Sequence, residues 1–205
     1  MLMASRRYNL GKRAVSVAET RRRILDAAAT AYCELGIHTT SIQEIARRAD
    51  LSPATILNHF PESDVLVDAV IVHIIESLQL PSREIFEGVE DTRARLSLLI
   101  DQLYDFYERS EVWVALFFRE RSDVPALAKG EARVMKAIGD LLLAALGPLA
   151  NDEKTRSVAG AAVDPGFRGA LVRAGLSEPL AREIATEFVL VWLNNHLTEA
   201  REGGS

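Results

Sequence analysis

A lone cysteine, Cys33, leaves this 205-residue chain without an internal disulfide, and a small buried thiol within a helix is the plain reading of it. No uninterrupted apolar run approaches ~18 residues, and the opening MLMASRRYNLGKR lacks the apolar stretch of a secretory signal. A soluble, cytoplasmic protein without a membrane partner is therefore expected. Strand-like alternation, internal repeats and low-complexity tracts are missing too. So are the P-loop, GxSxG, HExxH and paired CxxC signatures, which removes the strong signals for catalysis and structural metal. The expectation is a non-enzyme with no cofactor. His73 and Glu76, three residues apart, have no further metal ligand assignable from sequence, and a hydrogen-bonded or solvent-facing histidine is the preferred reading.

What is present is apolar and helical. Hydrophobic residues make up 48% of the chain, ample for a core. Apolar residues recur at helical spacing over 20–35, 61–80, 92–109, 112–119, 125–146, 152–163, 167–174 and 177–200, punctuated by Gly36, Pro81, Gly147-Pro148 and Asp164-Pro165-Gly166. The fold class is all-α.

Charge is divided along the chain. Residues 1–60 hold nine Lys or Arg against five acids, a net +4, whereas residues 61–205 carry −9. An electrostatic footprint is judged per domain, so the overall sequence pI near 5.5 does not argue against a nucleic-acid partner for the basic end. Residues 1–17, basic and with little periodicity, read as a flexible arm that either lies along DNA or is a disordered leader.

Within the basic end, TSIQEIARRADLSPATILNHF (40–60) reads as two short helices joined by a tight turn. Ser41 and Glu44 have the spacing of a capping box, and Ile42, Ile45, Ala46 and Ala49 form an apolar face. Asp50 suits a left-handed helix stop. Ser52-Pro53 restarts the chain as an N-cap followed by proline at the first helical position. On a wheel at about 100° per residue, Pro53, Ile56 and Phe60 form a packing arc with Leu57 at its edge, leaving Ala54, Thr55, Asn58 and His59 outward. A helix this short must dock on something, and the stripe Ile24, Ala28, Ala31, Leu35 of the preceding helix offers a surface. The result is a three-helix unit with a helix-turn-helix.

In the acidic remainder, Tyr104, Tyr107, Trp113, Phe117 and Phe167 are candidates for a ligand pocket, with core as the alternative for each. The last helix carries Phe188, Val191 and Trp192, a sticky face on a monomer and a candidate dimer interface.

The block at 20–66, with Arg-x-x-Ile-Leu-x-Ala-Ala, Gly36, Thr40-Ser41-Ile42, Ile45-Ala46, Leu51-Ser52, Thr55 and His59-Phe60, closely resembles the tetracycline-repressor (TetR) family of transcriptional regulators. The resemblance implies an all-helical homodimer with a helix-turn-helix head and a C-terminal body that binds a small molecule and pairs through its last two long helices. It departs from the family at three positions: tyrosine is common where Leu57 stands, lysine where Ser63 stands, and glycine where Asp50 stands.

The expectation is thus a three-part chain: an arm at 1–17, a DNA-binding domain at 18–64, and a ligand-binding and dimerisation body at 65–205. It would act as a ligand-responsive repressor binding double-stranded DNA at a near-palindrome, with a small apolar or amphipathic effector. The alternative is a protein of the same fold with weak or no specific DNA binding. Thr55, Asn58, His59 and Ala54 would address bases or nearby phosphates. Ser52, Thr40 and Ser41 would anchor phosphates, and Arg22, Arg47 and Arg48 would add charge.

Overall fold

The computed structural model describes the backbone of residues 3–202 and the side chains of residues 15–196. Ten α-helices and two short 3-10 turns, with no strand, make up these described residues. The helices are α1 (Met3–Leu35), α2 (Ile42–Ala49), α3 (Pro53–His59), α4 (Ser63–Ser77), α5 (Thr92–Arg109), α6 (Glu111–Glu120), α7 (Pro125–Leu146), α8 (Glu153–Val163), α9 (Pro165–Arg173) and α10 (Glu178–Glu202). The all-α expectation holds. Two details differ from the sequence reading. The backbone of α1 is helical from Met3, so it takes in most of the stretch expected as a flexible arm; the side chains of Arg6, Arg7, Lys12 and Arg13 lie outside the described residues. Helix α4 ends at Ser77, three residues short of Leu80, because Gln79 turns left-handed at φ 50° ahead of Pro81.

The chain forms two compact units. The first comprises Met1–Ser77 with Val112–Gly130, and the second comprises Leu78–Glu111 with Glu131–Ser205. Helices α4, α6 and the start of α7 fall in the same compact unit as the helix-turn-helix.

In the first unit, Ile24, Ala28, Ala31 and Tyr32 of α1 meet Ile45, Ala46 and Ala49 of α2, Ile56 of α3, Phe60, and Leu66 and Val70 of α4, all buried. Leu35, expected on this face, is exposed, whereas Tyr32 is buried. Gly130 lets α7 begin tight against α4, where an added Cβ would lie 2.8 Å from Ile71 Cγ2.

The second unit is built around α5. Leu96, Leu99, Ile100 and Leu103 share a core with Ile138, Leu141 and Ala145 of α7, Ala159 and Ala162 of α8, and Ala181, Ala185, Val189 and Leu193 of α10. The stretch Pro125–Asn151 is long and apolar enough to cross a membrane by length and composition, but several of its residues serve in this core. At the break between α8 and α9, Asp164 caps α9 by accepting from the Gly166 N–H at 2.6 Å. The carbonyls just before the break receive the Tyr104 hydroxyl (Ala162, 3.1 Å) and the Tyr107 hydroxyl (Val163, 2.7 Å). Helix ends leave carbonyls without intrahelical partners, and the two tyrosines supply donors for them.

Candidate nucleic-acid interface

The helix-turn-helix is held by its caps. Ser41 and Ser52 each adopt extended backbone and accept the N–H of the third residue of the following helix, from Glu44 at 3.2 Å and from Thr55 at 3.1 Å. The Thr55 hydroxyl lies 2.9 Å from that of Ser52. Between the helices Asp50 takes the left-handed conformation at φ 52°, its N–H returning to Ala46 and Arg47 carbonyls. Arg23 from α1 reaches across to donate to the Ala49 carbonyl at 2.6 Å, tying the turn to the first helix. Phe60 ends α3 in the core, with the Arg21 guanidinium 4.3 Å from its ring centroid.

The capping box is only half formed. Rather than reaching back to Ser41, the Glu44 carboxylate accepts from Arg47 Nε at 2.9 Å and Arg48 Nε at 2.7 Å. These arginine hydrogen bonds, Arg47 first, pull the Glu44 carboxyl from 4.5 down to about 2. Arg48 also bridges to Glu34 of α1 at 2.8 Å and is only 18% exposed, so it acts as a strut between α1 and α2. Arg47, 70% exposed, and Arg22, 66% exposed and 3.4 Å from Asp26, keep most of their surface in solvent. Thr40 turns its hydroxyl inward, donating to the Gly36 carbonyl at 2.6 Å.

Helix α3 is rotated by about one residue from the expected orientation. Its exposed residues are Pro53, Ala54, Leu57 and Asn58, while Thr55 and His59 are half-buried at the flanks of the buried Ile56. The outward arc therefore runs Pro53, Leu57, Ala54, Asn58 over about 140°, with Leu57 and Ala54 at its middle. This corrects two expectations: Pro53 is not part of the packing face, and Leu57, 48% exposed, does not extend the core. Its wheel position, about 100° from Ile56, was the available signal.

The five residues expected around a ligand pocket are divided between the units, Trp113 and Phe117 in the first and Tyr104, Tyr107 and Phe167 in the second. Tyr104 and Tyr107 are core residues with hydroxyls engaged, and burial raises both pKa values, that of Tyr104 to about 12. They therefore offer no free polar tips to a ligand. The second unit has an open groove of about 630 Å³ beside Arg182, edged by Asp101, Glu108, Glu178, Glu183 and Glu187. Its carboxylates make it a poor match to the expected apolar site. Of the residues expected at a dimer interface, Phe188 and Val191 are exposed on α10, and Trp192 is half-buried and stacked on His196 at 4.5 Å. Phe167 packs against Phe188 at 5.6 Å. His73, the residue considered for metal, sits 2.6 Å from Asp26 and links α4 to α1.

Residues 24–70 match the family model of bacterial regulatory proteins, tetR family. Over 97 residues the chain is 30% identical to the HTH-type transcriptional repressor KstR2 of Rhodococcus jostii, covering 47% of this chain and 48% of that protein. Over 70 residues it is 36% identical to the HTH-type transcriptional regulator UidR of Escherichia coli, covering 34% of this chain and 36% of the relative. The chain thus spans less than half the length of these curated relatives. A solved transcriptional regulator of Saccharomonospora viridis, in complex with choline, shares the fold with a TM-score of 0.64 at 21% identity, covering 84% of this chain and 96% of that one.

Proposed function

We propose that this chain, a member of the tetR family of bacterial regulatory proteins, is a cytoplasmic, ligand-responsive transcriptional repressor that binds a near-palindromic operator as a homodimer. The observation that carries the reading is the α3 arc. A seven-residue helix is capped by Ser52, anchored through Ile56 and Phe60, and turns Ala54, Leu57 and Asn58 to solvent. So short a helix presents its outer side chains rigidly only because its inner ones are docked, which is the arrangement a recognition helix needs in the major groove. Ser52 and Ser41 at the helix starts, with Arg47 and Arg22, would contact phosphates. The apolar exposure of Leu180, Phe188 and Val191 on α10 supports pairing with a second copy. The effector would be a small apolar or amphipathic molecule that binds one arrangement of the heads better than another, since equal affinity for both shifts nothing.

The test is selection of bound duplexes from a random DNA pool, with and without candidate apolar ligands. A palindrome with half-sites about 34–36 Å apart, or somewhat further, is expected. Absence of any sequence preference at low salt would refute the reading. It would favour a second one, a protein of this fold without specific DNA binding, for which the locked Arg48 is the supporting observation.

A further inference from the structure

The middle of the outward arc of α3 is apolar. Leu57 and Ala54, three residues apart, stand exposed side by side, with Asn58 next around the helix. Neither Leu57 nor Ala54 is needed to dock the helix, because Ile56 and Phe60 already do so. Facing base edges that display donors and acceptors, an alkyl side chain cannot replace the hydrogen bonds those groups lose with water. The one apolar group the major groove offers is the C5-methyl of thymine. Moreover, Pro53–His59 contains no lysine or arginine, the side chains that most often read guanine.

Resting on the DNA-binding reading above, we infer that Leu57, with Ala54 beside it, is a specificity-determining residue that reads thymine methyl groups in each half-site. At about 1.5 Å rise per residue, Ala54 and Leu57 are separated by about 4.5 Å along the helix axis. That is close to one base step of about 3.4 Å, so the pair addresses neighbouring base pairs. The Asn58 amide, next in line, is suited to bidentate pairing with adenine N6 and N7. The half-site under α3 is accordingly an A·T-containing step.

The experiment uses the full chain and an operator recovered by selection, replacing each half-site thymine in turn with deoxyuridine, which removes the methyl and keeps the base-pairing edge. At the thymine beneath Leu57, affinity should fall about fourfold with one half-site changed and about fifteenfold with both, the effect of losing one buried methyl per site. Leu57→Ala should bind the thymine and uracil duplexes equally there. Because Leu57 is exposed, the variant should keep its fold, verified by circular dichroism. Specific binding by the wild-type chain that is indifferent to uracil at every position overturns the inference, as does undiminished discrimination by Leu57→Ala. If selection yields no operator at all, the DNA-binding reading falls and this inference with it.

Discussion

Gly36, at the end of α1, is the position where one added methyl group should have the largest calculable effect. Its φ is +95°, and a Cβ there would stand 2.6 Å from Glu120 Oε1 and 3.1 Å from Thr39 Oγ1. Two costs follow from Gly36→Ala. Holding an L-residue in left-handed backbone costs about 1–2 kcal/mol. The Glu120 carboxylate, the flexible end of a side chain, can move aside, but its Oε2 accepts the Ile37 N–H at 2.8 Å. Moving it breaks that charge-assisted bond, for a further cost of about 1.5–3 kcal/mol. The expected sum is roughly 2.5–5 kcal/mol, or a fall in Tm of roughly 5–20 °C for a chain of this size. Denaturant unfolding followed by circular dichroism measures it. Glu120→Ala separates the two contributions: in that background Gly36→Ala should cost only the backbone part, about 1–2 kcal/mol, so the two substitutions should be non-additive by about 1.5–3 kcal/mol. Strict additivity, or a loss under ~0.5 kcal/mol for Gly36→Ala alone, would refute the argument that Glu120 is displaced.

Tyr107→Phe, which removes the donor to the Val163 carbonyl and leaves that acceptor buried, should destabilise by about 1–3 kcal/mol in urea unfolding. Ser63→Lys, at the exposed start of α4, supplies the cation the family commonly carries there; the log-affinity against log-salt slope on operator DNA should steepen by about 0.9 per subunit, nearly 2 per dimer. Glu44 has a folded-state pKa of about 2 against an ordinary value of 4.5, so its stabilising contribution is fully present above pH 4.5 and is lost as pH falls through about 2. Acid titration of Glu44→Gln should therefore show a shallower loss of stability across that window, and a profile matching the unsubstituted chain would contradict the Arg47–Glu44–Arg48 arrangement.

Helix boundaries were legible because their signals are local. Ser41, Ser52, Asp50 and Pro53 act on the nearest backbone groups, and each stands where its type predicts. The orientation of α3 was less legible, since seven residues define an angle poorly and the buried stripe depends on α1 and α4. The wheel puts Leu57 at the edge of the packing arc of α3 and Leu35 on the stripe of α1, yet both are exposed while Ile56 and Tyr32 are buried. The second unit was harder still. Tyr104 and Tyr107 carry the right chemistry for a ligand, but the open carbonyls at the end of α8, 56 and 58 residues away in the chain, claim both hydroxyls. Such long-range pairings leave no mark on periodicity.

Which cations of the head are available to phosphate follows from how each is held. Arg47 and Arg22 pair with Glu44 and Asp26 at the surface, where solvent screens such ion pairs and a phosphate can compete. Arg48 is different, since withdrawing it would break the ion pair to Glu34 that ties α1 to α2 and leave Glu44 to Arg47 alone. Arg23 is committed to the carbonyls of Ala49 and Asp50, and Arg21 to the face of Phe60. The formal charge of the N-terminal sixty residues therefore overstates the head's usable charge. On the DNA-binding reading proposed above, salt dependence should reflect Arg22 and Arg47 among these arginines, and discrimination between sequences should rest with the neutral side chains of α3.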